Sequence, residues 1–450
     1  MKLSEIRAML EQMGITPARR LGQNFLHDQN LARWIVDQAD VRPDEFVVEI
    51  GAGLGALTKL LLEKGARVLA IEKDKRLANF LRERLSHSRL EIANIDALEF
   101  DPRVLFAEPR VKLVGNLPYS VSSALLLWYV RYPSPISLWL FTLQREMALR
   151  LSAAPSTPDY GALTLGIQLH HQVQYLRTIS PTVFFPRPEV ESAVVRIVPR
   201  DPRELPEHDA ELLRQLIRRG FSQRRKQLGK LLREDVPDWH AAARAVGFDS
   251  RARAEELSLL QWINLANYIA PAAPADRRPT AVELFPVVDR TDRILRLAPR
   301  GEVHANNLLH RAVHILLLNP AGEVYLQQRS RRKDRHALKW DSSAAGHVTG
   351  EEDYDEAAHR ELREELGIDV PLRKIAKLPA SPRTDQEFVC LYRGRFSGQL
   401  APNRAEIETG AFFPETIIDG WVAARPQDFA PGFIACWRAY RQRRRRARSP

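Results

Sequence analysis

Cysteine is almost absent: the 450-residue chain holds two, Cys390 and Cys436. A disulfide framework and an all-cysteine zinc or iron–sulfur site each need more thiols than that. Long apolar runs are missing as well. ALLLWYV (124–130) is the longest, and others such as HILLL (314–318) are shorter still, far short of the roughly 20 residues that span a bilayer. The first twenty residues carry charges throughout and lack the apolar core of a signal peptide. Acidic residues fall short of basic ones, 56 against 67, which leaves a formal charge of +11. That surplus favours a polyanionic partner, although only 12 of the basic residues are lysine, a bias that a GC-rich genome also produces. A cytoplasmic enzyme is the expectation. At 44% apolar and 27% charged the chain reads as globular, and its length allows two or three domains.

Strand-like runs alternate with helical stretches up to about residue 200. FVVEI (46–50), RVLAIE (67–72), RLEIAN (89–94), VKLVGN (111–116) and LWLFTL (138–143) read as buried strands, with helices such as LTKLLLEKG (57–65) and KRLANFLRERL (75–85) between them. The alternation predicts a doubly wound, Rossmann-like α/β sheet over 1–206. Residues 207–270 read as a small helical lobe, and DAELLRQLIRRGFSQRRKQLGKLLRE (209–234) has helical spacing throughout. PAAPADRRPTAV (271–282) has the composition of a linker. Beyond it, in a further domain over 283–440, RAVHILLLNPAGEVYLQQR (311–329) reads as a β-hairpin and 354–366 as a charged helix. The arginine-rich 441–450 reads as a solvated basic tail.

Chemistry gathers where the strands end. FVVEI runs into GAGLGALT (51–58), whose Gly51, Gly53 and Gly55 permit a tight turn against a ligand. Glu72 ends the next strand, placed to accept ribose hydroxyls. The turn alone fits NAD, FAD or S-adenosylmethionine. Asp96 follows the third strand and can accept from an adenine amino group. Asn116 opens NLPY (116–119) after the fourth. There the Asn116 carboxamide and the Leu117 carbonyl can both accept from an exocyclic amine, and Tyr119 can stack on its ring. An adenine amino nitrogen is a poor nucleophile because its lone pair is spread into the ring. Two acceptors on its hydrogens localise that pair, so positioning and electrostatics can carry methyl transfer without a basic side chain.

These blocks resemble the small-subunit (16S) ribosomal RNA adenine N6,N6-dimethyltransferases, the KsgA/RsmA group. The likeness covers about residues 17–270. It includes LGQNFLHD (21–28), VVEIGAGLGALT (47–58), NLPY, LQREMALRL (143–151), VFFPRPEVESAVVRIVP (183–199), FSQRRKQL (221–228) and RAEELSLLQWINLANYI (253–269). The resemblance implies that Asn24, Leu26, Gly51, Glu72, Asp96 and Asn116 hold S-adenosylmethionine. It also implies that Phe184 stacks on the target adenine opposite Tyr119, and that two adjacent adenines in a hairpin loop near the 3′ end of the small-subunit RNA are dimethylated in the immature subunit. A loop base is the easier one to splay out. The chain departs from many relatives at Glu189, where they carry Lys. Arg218, Arg219, Arg224, Arg225, Lys226 and Lys230 form a basic cluster suited to RNA phosphates. The other readings of this half are a ribosome-assembly binding factor and a nicotinamide oxidoreductase.

GHVTGEEDYDEAAHRELREELGI (346–368) matches the Nudix box at Gly346, Glu352, Arg360, Glu361, Glu364, Glu365 and Gly367. Glu361, Glu364 and Glu365 stand at i, i+3 and i+4 of a helix, so one face carries three carboxylates. A divalent cation, Mg²⁺ or Mn²⁺, makes such crowding tolerable and can hold a diphosphate. The fold implied is an α/β/α sandwich. VVDRTDRIL, EVHANNLLHRAVHILLLN and KWDSSAAGHV resemble the branch of the superfamily near isopentenyl-diphosphate isomerases. That branch carries a reactive Cys where this chain has Ser342, Ser343, Ala344 and Ala345. The likeness therefore implies hydrolysis of a nucleoside diphosphate derivative or another organic diphosphate rather than isomerisation, with a non-catalytic scaffold as the alternative. It further implies a second metal set of His304, His310, His347, Glu406 and Glu408.

Overall fold

The computed structural model describes residues 3–17, 23–118, 121–130, 133–270 and 283–446. Contacts divide the chain into two compact units, Met1–Pro271 and Ala272–Pro450. The predicted linker, Tyr119 and the last four residues lie outside the described residues.

The first unit is built on β1 (Phe46–Ile50), β2 (Arg67–Ile71), β3 (Leu90–Ala93), β4 (Val111–Asn116), β5 (Ile136–Gln144), β6 (His171–Ile179) and β7 (Ser192–Pro199). Their order in the sheet is β3-β2-β1-β4-β5-β7-β6. The first five are parallel, while β7 runs antiparallel to both β5 and β6. Successive side chains point to opposite faces, and both faces are covered. Val48, Ile50, Leu113 and Phe141 join one core cluster, and Val47, Val114, Leu138 and Leu140 the other. That double burial is why these strands are runs of Val, Leu and Ile rather than alternating patterns. Helix α1 (Ala56–Glu63) leaves the glycine turn after β1. The strand order reverses between β1 and β4, so a crevice opens beyond their carboxyl ends.

The region after 207 is helical as predicted, but not continuous. Helix α2 (Ala210–Gly220) stops where the Trp262 ring lies against Gly220; a Cβ there would come within 2.5 Å of it. Phe221 then turns inward onto Tyr160 and Trp262. The chain is pinned again at buried Leu228, whose N–H donates to the Ala252 carbonyl at 2.9 Å. Residues 222–227 are an exposed basic loop between those anchors. Helix α3 (Leu259–Ile269) completes the lobe core.

The second unit begins with a hairpin of β8 (Leu284–Val288) and β9 (Ile294–Pro299). Its main sheet holds β10 (His310–Leu318), β11 (Val324–Arg329), β12 (Trp340–Asp341), β13 (Ala344–His347), β14 (Arg373–Leu378), β15 (Glu387–Arg395) and β16 (Ile407–Phe413). The hairpin predicted over 311–329 closes at Leu318↔Val324 and then splays apart. β10 pairs instead with β15 in parallel along its whole length and with β13 antiparallel. Helix α4 (Tyr354–Leu366) packs Ala357, Ala358, Leu362 and Leu366 onto Val313, Ile315, Cys390 and Tyr392. Helix α5 (Pro431–Arg446) buries Phe433, Cys436, Trp437 and Tyr440, giving the α/β/α layering. The predicted solvated tail is thus mostly helix. Arg441 and Arg444 pair with Glu415, and Arg441 also reaches Asp419 at 2.6 Å. Among the described residues no helix is long and apolar enough to cross a membrane.

Candidate functional site

In the first unit a cavity of about 330 Å³ lies above the glycine turn, lined among others by Asn24, Gly51, Gly53, Glu72, Asp96 and Asn116. Gly51 and Gly53 have φ of +73° and +56°, which residues with a Cβ rarely adopt. The turn points the Gly53 N–H at one Glu72 oxygen (2.9 Å), while the Asp74 N–H donates to the other (2.8 Å). Burial pushes the Glu72 carboxyl up, and those backbone donors oppose it. Each of its oxygens keeps lone-pair capacity. Asp96 sits across the cavity, paired with the exposed Lys73 at 2.6 Å and accepting from the Leu98 N–H at 3.0 Å. The Lys73 bond comes first in holding its carboxyl below the usual range.

Asn116 ends β4 at the lip of this cavity. Its Nδ2 donates to the Asn24 carbonyl at 2.9 Å. A carbonyl can only accept, so the amide orientation is fixed and Oδ1 is left as the acceptor. The Leu117 N–H donates to the Thr142 carbonyl, which holds the next peptide in place. Beside it a smaller cavity of about 40 Å³ is lined by Asn24, Leu26, Glu49, Gly51, Asn116, Thr142 and Phe184. The backbones of Leu26 and Phe184 pair in a short antiparallel ladder. Phe184 is buried, and its neighbour Phe185 packs elsewhere against Arg7.

Glu49 was not among the predicted site residues. It is 2% exposed and accepts from the Thr58 hydroxyl at 2.6 Å. Burial pushes its carboxyl up to about 8, with Thr58 opposing and the charge of Glu72 adding to the push. Its signal in the sequence was a lone charge inside an apolar five-residue strand.

The basic cluster divides. Arg219 is tied to Asp235 (2.7 Å) and Glu234 (3.2 Å), and Arg224 to the Pro158 carbonyl and Glu255. Arg218, Arg225, Lys226 and Lys230 are exposed, with no acidic partner among the described residues.

In the second unit Arg360 binds Glu352 through two bonds (2.7 and 3.1 Å), Glu361 at 2.8 Å and Glu364 at 3.0 Å. Glu364 faces solvent. Glu365 is buried, accepting from Gln327 Nε2 (2.9 Å) and the Ala345 N–H (3.1 Å), and burial pushes its carboxyl up to about 8. Gly346 lets β13 pass under Glu361: a Cβ there would stand 2.0 Å from Glu361 Oε1.

The groups that do converge are imidazoles. His304, His310 and His347 each bring one ligand atom within 4.8 Å of the others, the only such cluster of His, Cys, Asp and Glu among the described residues. His310 Nε2 is buried without a hydrogen-bond partner. Burial, with His347 alongside, holds His304 down at about 4. The predicted carboxylates of this set, Glu406 and Glu408, are elsewhere: Glu406 is paired with Lys333 and Glu408 with Arg331. Glu387 stands in their place, 3.1 Å from His347 Nε2 and 3.5 Å from His310 Nε2. The strand pairing of β10, β13 and β15 brings His310, His347 and Glu387 side by side; sequence distance hid this, and an acid opening the apolar run EFVCLY was the one available signal. Ser342 and Ser343 are fully buried, their hydroxyls bonded to His314 Nδ1 and the Tyr325 carbonyl.

A family model described as ribosomal RNA adenine dimethylase matches residues 16–271, and one described as NUDIX domain matches 308–431. Among curated proteins, the Ribosomal RNA small subunit methyltransferase A of Alcanivorax borkumensis is 39% identical over 261 residues, covering 57% of this chain and 91% of that protein. The protein of the same name from Aromatoleum aromaticum is 40% identical over 256 residues, 57% of this chain and 95% of its own. The solved structure of the 23S rRNA methyltransferase ErmE aligns over 55% of this chain and 99% of its own, at 29% identity and a TM-score of 0.47.

Proposed function

The chain belongs to the ribosomal RNA adenine dimethylase family and carries a NUDIX domain behind it, and from that premise we propose that its first unit dimethylates N6 of two adjacent adenines in a loop near the 3′ end of small-subunit rRNA. The donor is S-adenosylmethionine, which supplies an electrophilic methyl group when bound. The cavity fits it chemically: Glu72 offers acceptors for ribose hydroxyls, Asp96 an acceptor for an adenine amine, and Gly51, Asn24 and Leu26 a close backbone wall. The observation that carries the reading is the Asn116 carboxamide, turned by the Asn24 carbonyl so that its oxygen faces an incoming amine.

Asn116 Oδ1 and the Leu117 carbonyl take the two N6 hydrogens and localise the nitrogen lone pair. Phe184 and Tyr119 are the ring-stacking pair that the family resemblance implies, and the released proton passes to water. The monomethylated base keeps one N6 hydrogen for the same acceptors, which permits a second transfer. Arg218, Arg225, Lys226 and Lys230 take RNA phosphates. The test is methyl transfer from labelled cofactor to immature small subunits, followed by nucleoside analysis. Dimethyladenosine is expected; its absence with the unaltered chain overturns the reading.

The second unit we read as a divalent-cation-dependent hydrolase of an organic diphosphate. The oxygen donors Glu361, Glu364 and Glu365 suit Mg²⁺ or Mn²⁺. His304, His310 and His347 with Glu387 form a second donor set, supported by His310 Nε2, which is buried without a hydrogen bond. A bound dication neutralises a diphosphate and acidifies water. Phosphate release with Mg²⁺ that vanishes in Glu364→Gln is the expected result. Metal analysis of His310→Ala, expected to lose a bound ion, checks the second set.

A further inference from the structure

We propose that the second unit carries its own RNA-docking face, an arginine row on the edge of its sheet continued by the end of helix α5. On β14 and β15, Arg373 and Arg393 are direct cross-strand partners. Facing residues on antiparallel strands hold their Cβ atoms about 5 Å apart, and like charges so placed destabilise the pair. Neither has an acidic partner among the described residues. Two residues on, Arg395 falls on the same face by the strand period and is exposed. Arg443 of α5 donates to the Ile375 carbonyl of β14, which brings the helix end onto this edge. One turn further Arg446 is exposed, also without an acidic partner among the described residues.

Two ordinary explanations fall short. Arginine at a helix C-terminus complements the dipole, and a charged edge strand resists aggregation. Neither requires arginines at directly facing positions of two strands, and Arg441 and Arg444 of α5 are already paired with Glu415 and Asp419. Repulsion left in the folded unit is relieved by an external polyanion. A row of guanidinium forks fits successive phosphates, each fork able to hold two oxygens. No large hydrophobic residue within 373–395 or 431–446 is exposed, which suits a phosphate backbone better than a lipid surface. The choice of RNA over other polyanions rests on the reading of the first unit.

The experiment uses the full chain, a transcript of the small-subunit 3′-end hairpin, and a variant carrying Arg373→Ala, Arg395→Ala and Arg446→Ala. Affinity is measured across a salt series. The expected result is a plot of log affinity against log salt shallower by about 2–3, the share of three phosphate contacts, with a thermal midpoint no lower than that of the unaltered chain, since Arg373→Ala removes a like-charge pair. Ultraviolet crosslinks are expected on 373–395 and 431–446 of the unaltered chain and are lost in the variant. An unchanged slope, crosslinks confined to residues before 271, or variant-sensitive binding to phosphatidylserine vesicles in place of RNA overturns the proposal. Methyl transfer measured on the same samples decides the first unit's reading separately.

Discussion

Asn116 depends on one bond. The Asn24 carbonyl fixes its amide orientation, so on the proposed reading Asn116→Ala removes an acceptor for the amine hydrogen. Methyl transfer should fall about 10²- to 10³-fold in kcat, with RNA affinity within twofold of the unaltered chain. An equal loss of RNA affinity would mark Asn116 as a binding residue only. Glu49 supplies a pH signature. Its carboxyl titrates near 8 in the folded chain against an ordinary 4.5. Between those values the unfolded chain has released the proton and the folded chain keeps it, so stability drops as pH rises through that window. Glu49→Gln keeps the neutral form and removes this slope. The midpoint of the variant relative to the unaltered chain should therefore rise from about pH 5 to about pH 8. Thermal melts at both values check it, and a constant difference refutes it.

At the level of elements, burial at two points shapes each functional segment. Phe221 and Leu228 pin the basic loop and leave its charges outside. Replacing Arg218, Arg225, Lys226 and Lys230 with Ala should flatten the salt dependence of RNA binding by about 3. Replacing Arg219 and Arg224 should chiefly lower the melting temperature, because their charges are spent on Asp235, Glu234 and Glu255. Beneath the Nudix helix the tight point is Gly346 of β13. A methyl there must displace the Glu361 carboxylate. That end of a side chain can move, so Gly346→Ala should reduce diphosphate hydrolysis at least about tenfold while changing stability by only about 1 kcal/mol. Hydrolysis rates beside denaturant melts distinguish the two effects.

Each of the two units has its own core, and neither needs the other to bury its sheet. At saturating RNA, residues 1–271 expressed alone should keep kcat within about threefold of the full chain, a difference under 1 kcal/mol in barrier. At sub-saturating RNA the rate should fall further, because the RNA-docking face of the second unit is gone; a methyl-transfer assay across RNA concentrations separates the two.

The order of motifs was legible in the sequence because it follows from local rules. Apolar runs with glycine after them make strand, turn and helix, and Glu72, Asp96 and Asn116 each end such a run. The Nudix carboxylates follow from a helical period. What tertiary structure alone decided was which groups meet and which are already engaged. Glu387 replaces Glu406 and Glu408 beside the histidines because β10 and β15 lie side by side. Arg219 is neutralised while Arg225, six residues on, has no acidic partner among the described residues, because the chain turns at Phe221. Glu49 becomes a buried acid near Glu72 only when the sheet closes over it. Pairing across strands and the desolvation of a charge depend on residues far apart in the chain, and periodicity along the chain does not carry them.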